Sequence, residues 1–138
     1  MQPLAIRLRG ARKRAVGETE QEVHAALTAA EQEADRVGKT ALVDFEAANG
    51  SKLSMLIGRA ETMLSWRYAG DEEPRFLSLG DSNAAGALAL SRDFKDRIDA
   101  PRWALISRAD GLAALDQFVQ SNDIPENVQW ADYVPPGR

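Results

Sequence analysis

Few residues in this chain could carry acid–base or metal chemistry. The 138 residues include one histidine, His24, and no cysteine, which excludes a thiolate zinc site and a cysteine nucleophile. His24 could act as a general base, but the sequence identifies no partner for it, so a boundary position on a helix is the expected role. A zinc site needs three or four ligands, and only carboxylates could join this histidine. We therefore expect no metal site and no cofactor.

Serine and carboxylate motifs do not strengthen the case for an enzyme. No serine lies in a G-x-S-x-G elbow, and neither of the common glycine-rich phosphate-binding motifs is present. Asp93 and Asp96 could flank a site as the carboxylate pair of a glycosidase does, but a solvated loop is the simpler interpretation. The run Asp71-Glu72-Glu73 lacks the alternating spacing of a calcium-binding loop. The sequence thus predicts a protein without catalytic residues.

Charge is distributed unevenly along the chain. The net charge is −4, yet residues 1–16 hold five of the 17 basic residues and no acidic residue. The remainder carries 12 basic and 21 acidic residues. An acidic main body argues against a nucleic-acid-binding surface and favours a basic partner, although the same imbalance could serve solubility. The basic segment 10–17 is predicted to be a mobile connector, because no aromatic residue is interleaved with its charges.

Two helices are predicted among the elements that position these side chains. Thr19 and Glu22 form a capping box at the start of an amphipathic segment, and Gly38 occupies the position expected for a left-handed C-terminal cap. Ser107, with an aspartate three residues further on, is a second capping signature. The apolar stripe that follows can end in a left-handed conformation at Asn122.

Alternating segments predict strands over most of the remaining chain. Leu4, Ile6 and Leu8 form one face of a first strand. Asn49-Gly50 is a strong hairpin signal, because both central residues of a two-residue turn of that kind need positive φ. Further strands are expected around residues 41–45, 53–57, 64–68, 76–79, 87–90 and 128–130. We expect a charged connection, without a strand, from Ser91 to Pro101.

The order of these elements predicts the fold class. Strand, helix, at least four consecutive strands, helix and strand indicate an α+β domain with a mainly antiparallel sheet of about five to seven strands and two helices. We expect a single domain over residues 1–138, in which residues 134–138 form a tail. Trp66 and Trp130 are predicted to cover the sheet core, whereas Trp103 and Phe94 could instead serve an interface.

A set of short motifs occurs in a recognisable order in the second half of the chain. They are Leu53-Ser54-Met55-Leu56-Ile57-Gly58, Trp66 with Tyr68, Pro74, Leu79-Gly80-Asp81, Ile98-Asp99-Ala100-Pro101, Ala104-Leu105-Ile106-Ser107, Leu115-Asp116-Gln117-Phe118, Pro125 and Val128-Gln129-Trp130. In this order and spacing the chain resembles immunity-protein family one of bacterial polymorphic toxin systems. Asn122 stands where that family commonly has glycine, and asparagine tolerates the same backbone conformation. Residues 82–94 have no clear counterpart.

The resemblance implies a protein that binds and blocks a cognate toxin domain encoded by an adjacent gene. Such toxins often belong to the nucleic-acid deaminase superfamily, and a basic substrate groove would be complemented by the acidic body of this chain. Contact is expected through loop charges, with Phe94 as an apolar anchor; these charges are Asp71, Glu72, Glu73, Asp93 and Asp96. Other motif residues are expected to maintain the fold: Gly80, Asp81, Pro101, Phe118, Pro125 and Trp130.

Two other classes of function stay open on the sequence. A small-ligand-binding or enzymatic domain would have a deep pocket lined by Trp66, Tyr68 and Trp130 with convergent polar groups. An accessory module of a larger secretion or regulatory assembly is the second class. A toxin gene next to this one would favour immunity over both.

Location and assembly are expected to be simple. No apolar run approaches the roughly 20 residues that span a bilayer, and the N-terminus lacks the apolar core of a signal peptide. We therefore expect a cytoplasmic protein that contacts neither membrane nor nucleic acid directly and exists as a monomer or weak dimer.

Overall fold

The computed structural model describes residues 1–9, 14–91 and 97–134. It contains two α-helices, one short 3-10 helix at Arg102–Ala104 and eleven strands within those ranges. The helices are α1 (Glu20–Val37) and α2 (Arg108–Ser121). The strands are β1 (Leu4–Leu8), β2 (Ala15–Gly17), β3 (Ala41–Glu46), β4 (Lys52–Ile57), β5 (Glu61–Thr62), β6 (Leu64–Arg67), β7 (Phe76–Leu79), β8 (Ala87–Ser91), β9 (Arg97–Pro101), β10 (Ile106–Ser107) and β11 (Gln129–Asp132).

Seven strands form one antiparallel sheet in the order β11-β7-β6-β4-β3-β1-β2. Two further antiparallel pairs, β5 with β10 and β8 with β9, lie beside it. Hairpin-linked strands and separate helices make this an α+β fold with two α-helices, which confirms the fold class predicted from the order of elements.

Both helices pack on one face of the sheet. Leu4 and Ile6 of β1, Val43 and Phe45 of β3 and the odd-numbered residues of β4 share that face, and α1 and α2 cover them with their apolar stripes. The stripe of α1 includes Val23, Leu27, Ala30 and Ala34, and that of α2 includes Ala114, Leu115, Phe118 and Val119. The period of two in the strands and of 3.6 in the helices therefore builds one continuous core.

The opposite face of the sheet carries a second, smaller core. Leu42, Leu56 and Leu77 point to this side, because each alternates with neighbours that face the helices. They pack with Met63, Ala100 and Ala104, and partly with Trp103 of the 3-10 segment. This second core covers only part of that face. The part of the face around Ala5, Asp44 and Lys52 carries polar side chains, and we call it the open side of the sheet.

The predicted helix caps are all present. The Thr19 hydroxyl accepts a hydrogen bond from the Glu22 N–H at 3.1 Å, and Ser107 accepts one from Asp110 at the start of α2. Gly38 ends α1 at φ 66°, and Asn122 ends α2 at φ 54°. Local side-chain chemistry therefore decides where both helices begin and end.

Two local expectations are wrong. The basic segment 10–17 is not a connector throughout, because Ala15–Gly17 forms β2 and pairs with β1; residues 10–13 lie outside the described residues. The connection predicted from Ser91 to Pro101 contains β9, which pairs with β8 from Ala87↔Pro101 to Ser91↔Arg97. Both strands depend on backbone pairing with a neighbour, which side-chain alternation alone does not reveal.

The β3–β4 hairpin is confirmed, but its turn differs from the expected one. Glu46 pairs with Lys52, so the loop has five residues rather than two. The Gly50 N–H donates to the Ala47 carbonyl at 2.9 Å, and only Gly50 of the Asn49-Gly50 pair has positive φ. Asn49 instead accepts a hydrogen bond from the Ser51 N–H through its side chain, as in an Asx turn.

Candidate functional site

The acidic turn predicted as a contact joins β6 to β7 and is organised by Asp71. The Asp71 carboxylate accepts hydrogen bonds from the Tyr68 N–H at 3.0 Å and from the Arg75 guanidinium at 2.9 Å. The Asp71 N–H donates in return to the Tyr68 carbonyl. The hydrogen bond from Arg75, with the one from the Tyr68 backbone, lowers the pKa of the Asp71 carboxyl below its usual value of 3.8. Asp71 therefore shapes the turn from within.

Glu72 and Glu73 occupy the outer part of that turn. Both residues are exposed, and the described part of the chain gives neither carboxylate an ion-pair partner. The turn therefore presents two solvated carboxylates on a backbone that Asp71 and Arg75 hold in place. Of the six residues predicted to contact a partner, the structure brings these three together. Asp93, Phe94 and Asp96 lie outside the described residues.

A polar region on the open side of the sheet was not anticipated from the sequence. Arg9, which directly follows β1, donates through Nε to both oxygens of the Asp44 carboxylate, at 3.0 and 3.2 Å. The Ser54 hydroxyl donates to the same carboxylate. Arg67 on β6 lies near this group, and no hydrogen-bond acceptor reaches its buried Nε. The sequence did contain a signal for this region. Polar residues alternate with Leu4, Ile6, Val43 and Phe45, and because these apolar residues face the helices, the polar ones must face the other side of the sheet.

His24 has a partner that sequence reasoning did not find. Its Nε2 lies 2.6 Å from a carboxylate oxygen of Asp116, which links α1 to α2. Glu20, one helical turn before His24, completes a group whose possible ligand atoms lie within 4.8 Å of one another. One imidazole and two carboxylates could hold a divalent cation. The side chains of His24 and Asp116 are 44% and 42% exposed, so a solvated hydrogen bond between the two helices accounts for their contact without a metal.

Buried aromatic rings occupy the place where an alternative ligand pocket was considered. Trp66 is 0% exposed and packs edge to face against Phe118, with ring centroids 5.4 Å apart. The ring of Tyr68 also packs edge to face against the Trp66 indole, with centroids 5.7 Å apart. Because the Trp66 side chain has no exposed surface, it does not line an open pocket of the kind that the alternative, a ligand-binding domain, would have. An open depression of about 510 Å³ lies elsewhere, along α2 and the loop after it.

Several motif residues have structural contacts that explain their residue types. The Gly80 N–H donates to the Trp103 carbonyl at 2.6 Å, and Asp81 caps the next turn by accepting from the Asn83 N–H. Trp130 is half-buried, and its indole N–H donates to the Pro125 carbonyl at 2.9 Å. Phe118 is fully buried. These contacts stabilise the fold rather than present a surface.

Comparison with known protein families finds a family model that matches this chain. The family model described as Immunity protein Imm1 matches residues 11–132, which is most of the chain. The chain belongs to the Imm1 immunity protein family. The match confirms the family suggested by the ordered motifs, and it covers β2 to β11 as well as both helices of this Imm1 protein.

Two further findings complete the comparison. No curated protein is significantly similar to this Imm1 protein. Over residues 1–9, 14–91 and 97–134, neither helix combines the length and apolarity needed to cross a membrane.

Proposed function

We propose that this Imm1 protein binds a cognate toxin domain, encoded by a neighbouring gene, and inhibits it by covering its active site. In this proposal the toxin is a basic protein, with a nucleic-acid deaminase as the favoured class, and the immunity protein catalyses no reaction itself. The observation that carries the proposal is the match to the immunity protein family across residues 11–132.

The acidic turn supports a contact with a basic surface. Glu72 and Glu73 are exposed and lack ion-pair partners within the described chain, whereas Asp71 is held by Arg75 and the Tyr68 backbone. Binding through these glutamates requires little ordering of the backbone, because internal hydrogen bonds already define the turn. Pre-organisation of this kind reduces the entropy lost on association. A basic groove around a nucleic-acid substrate site would complement the two carboxylates.

The overall charge supports the same partner. The chain carries 21 acidic and 17 basic residues. A net negative protein approaches a basic toxin faster than a neutral one does, and it competes with nucleic acid for the same electrostatic field. Occlusion therefore needs no catalytic group on the immunity protein.

The first experiment is co-expression of this protein with the product of the adjacent gene, followed by purification of the complex and a toxicity rescue assay. We expect a stable 1:1 complex and loss of toxicity. If the product of the adjacent gene is toxic, does not bind this protein and stays toxic when the two are co-expressed, the proposal is overturned for that pair.

A charge-reversal pair then tests the acidic turn. Glu72→Lys with Glu73→Lys is expected to weaken the complex about 10- to 100-fold, mostly through slower association. The matched control is Glu61→Lys with Glu126→Lys, which makes the same change in net charge at two exposed carboxylates away from the turn. Equal affinities for the two double variants would show that net charge, and not this turn, determines binding.

A further inference from the structure

The open side of the sheet carries a group of basic side chains that the family match does not explain. We name it the cationic sheet face and define it as Arg7 on β1, Arg14 just before β2, Lys52 on β4 and Arg67 on β6. Ala5, Arg7, Arg14 and Lys52 surround one shallow depression of about 40 Å³, together with Asp44 and Glu46. Register extends the face to Arg67, because Lys52 lies directly opposite it across β4 and β6.

Acidic residues on this face do not neutralise it. Asp44 is already engaged by Arg9 and by the Ser54 hydroxyl. Glu46 lies opposite Lys52 across β3 and β4, yet no hydrogen bond or ion pair joins the two side chains. Asp44 also lies opposite Arg7 across β1 and β3, and the charges of Asp44 and Asp71 act on Arg67. Among the described residues, the four cations still outnumber Asp44 and Glu46, the two carboxylates beside the depression. This local excess of positive charge lies on a chain whose net charge is −4.

The pairing of Lys52 with Arg67 is unfavourable in the free protein. Like charges directly opposite each other on one face of an antiparallel pair destabilise the sheet. Burial lowers the pKa of the Arg67 guanidinium, and the charge of neighbouring Arg9 lowers it further, whereas the charges of Asp44, Tyr133 and Asp71 offset part of this shift. The Nε of Arg67 is buried without a hydrogen-bond partner. An added carboxylate above this face would relieve the repulsion between the two cations.

We propose that the cationic sheet face receives an acidic segment of the cognate toxin, whose carboxylates pair with Arg7, Lys52 and Arg67. This inference rests on the proposed function, since it assigns a second contact surface to the same complex. It also gives a role to the basic start of the chain, because Arg7 and Arg14 belong to residues 1–16.

The same observations favour a protein segment over a nucleic acid. Asp44 and Glu46 lie among the cations, so the face has a mixed pattern rather than the continuous basic track that a phosphate backbone needs. The net negative charge of the whole chain also repels a polyanion. The acidic turn begins four residues after Arg67. A partner with one acidic and one basic patch would therefore be held in a single orientation by the two neighbouring surfaces.

The test measures affinity of the purified toxin domain, in an inactive form, for single charge-reversal variants of the immunity protein. Arg7→Glu and Lys52→Glu are each expected to raise Kd about 10-fold, with slower association and a weaker dependence on salt. The matched control is Arg59→Glu, which makes the same change in net charge at an exposed residue in the β4–β5 connection, at the other end of β4. This control is expected to change Kd less than twofold.

Folding is checked for every variant by urea unfolding. If a glutamate variant is unfolded, Arg7→Gln and Lys52→Gln take its place, because they remove the charge without reversing it. Each glutamine variant loses one positive charge at the edge of the contact and is expected to raise Kd about threefold.

The possible results separate this inference from the proposed function. If the wild-type complex forms and both face variants bind like the Arg59→Glu control, the cationic sheet face is not a contact, while the inhibitor function stands. Tighter binding by the glutamate variants would show that this face meets a basic segment, which also overturns the inference. If the wild-type protein neither binds nor rescues, both proposals fail together.

Discussion

Gly80 and Leu105 approach so closely that a β-carbon on Gly80 would lie 1.9 Å from the Leu105 carbonyl oxygen. This contact joins the end of β7 to the segment after the 3-10 helix, and the hydrogen bond from Gly80 to Trp103 lies beside it. The opposing atom belongs to the backbone, so a small side-chain movement cannot relieve the overlap. Packing between two chain segments thus explains the glycine of the glycine-aspartate motif.

Gly80→Ala should therefore destabilise the protein by about 3 kcal/mol, because the 3-10 segment must move away from β7. Urea unfolding at neutral pH measures the change. Gly70→Ala is the matched control: Gly70 has φ +86° but no atom within 4 Å of an added β-carbon. It should lose only about 1 kcal/mol, from the left-handed backbone conformation. Equal losses in the two variants would contradict the steric explanation.

Asp71→Asn should lower stability at neutral pH and have little effect in acid. The pKa of the Asp71 carboxyl is lowered in the folded protein by Arg75 and the Tyr68 N–H. Its contribution is therefore fully present above the unfolded value of 3.8 and is lost as pH falls through the lowered folded value. Thermal unfolding of both proteins between pH 6 and pH 2 checks this.

The wild-type and Asp71→Asn melting temperatures should converge at the acid end of that range. Glu72→Gln serves as the control, since Glu72 is exposed and has no ion-pair partner among the described residues. A pH-independent difference for Asp71→Asn would show that its carboxylate charge does not stabilise the turn.

Trp66 and Phe118 should show measurable coupling across the sheet–helix interface. Both side chains are fully buried, and their rings pack edge to face with centroids 5.4 Å apart. In a double-mutant cycle of Trp66→Leu and Phe118→Leu, we expect a coupling free energy of about 1 kcal/mol beyond the separate losses of buried area. Urea unfolding of the four proteins gives this value. A coupling near zero would mean that the two rings contribute only apolar area.

Asn122→Gly should fold with nearly unchanged stability, whereas Asn122→Ala should lose about 1 to 2 kcal/mol. Asn122 ends α2 at φ 54°, a conformation that glycine adopts freely and alanine does not. Its side-chain amide also donates to Gln2 at 3.2 Å, a contact that both variants remove. The difference in unfolding free energy between the two variants therefore measures the cost of the left-handed backbone conformation. An Asn122→Gly loss as large as that of Asn122→Ala would assign the effect to the Gln2 contact.

The candidate site was only partly predictable. The acidic turn was found because glycine and proline bracket three consecutive acids, and this pattern needs no knowledge of distant residues. The bond between His24 and Asp116 was missed because the two residues are 92 positions apart. The cationic sheet face was missed for the same reason, since Lys52 and Arg67 face each other only when β4 and β6 pair.

Local chemistry in the sequence by itself determined the helix boundaries, the strand faces, the fold class and, through the order of its motifs, the family. Capping by Thr19 and Ser107 and the conformations at Gly38 and Asn122 involve neighbours within a few residues, so the sequence contains all that decides them. Tertiary structure alone decided β2 and β9, the turn at Asn49-Gly50, the partner of His24 and the charges that meet on the open sheet. The contact of His24 and the charges on the sheet depend on segments far apart in the chain, which meet only when the fold brings them together. For β2, β9 and the turn, the register in which neighbouring strands pair is decisive, and side-chain alternation does not fix that register.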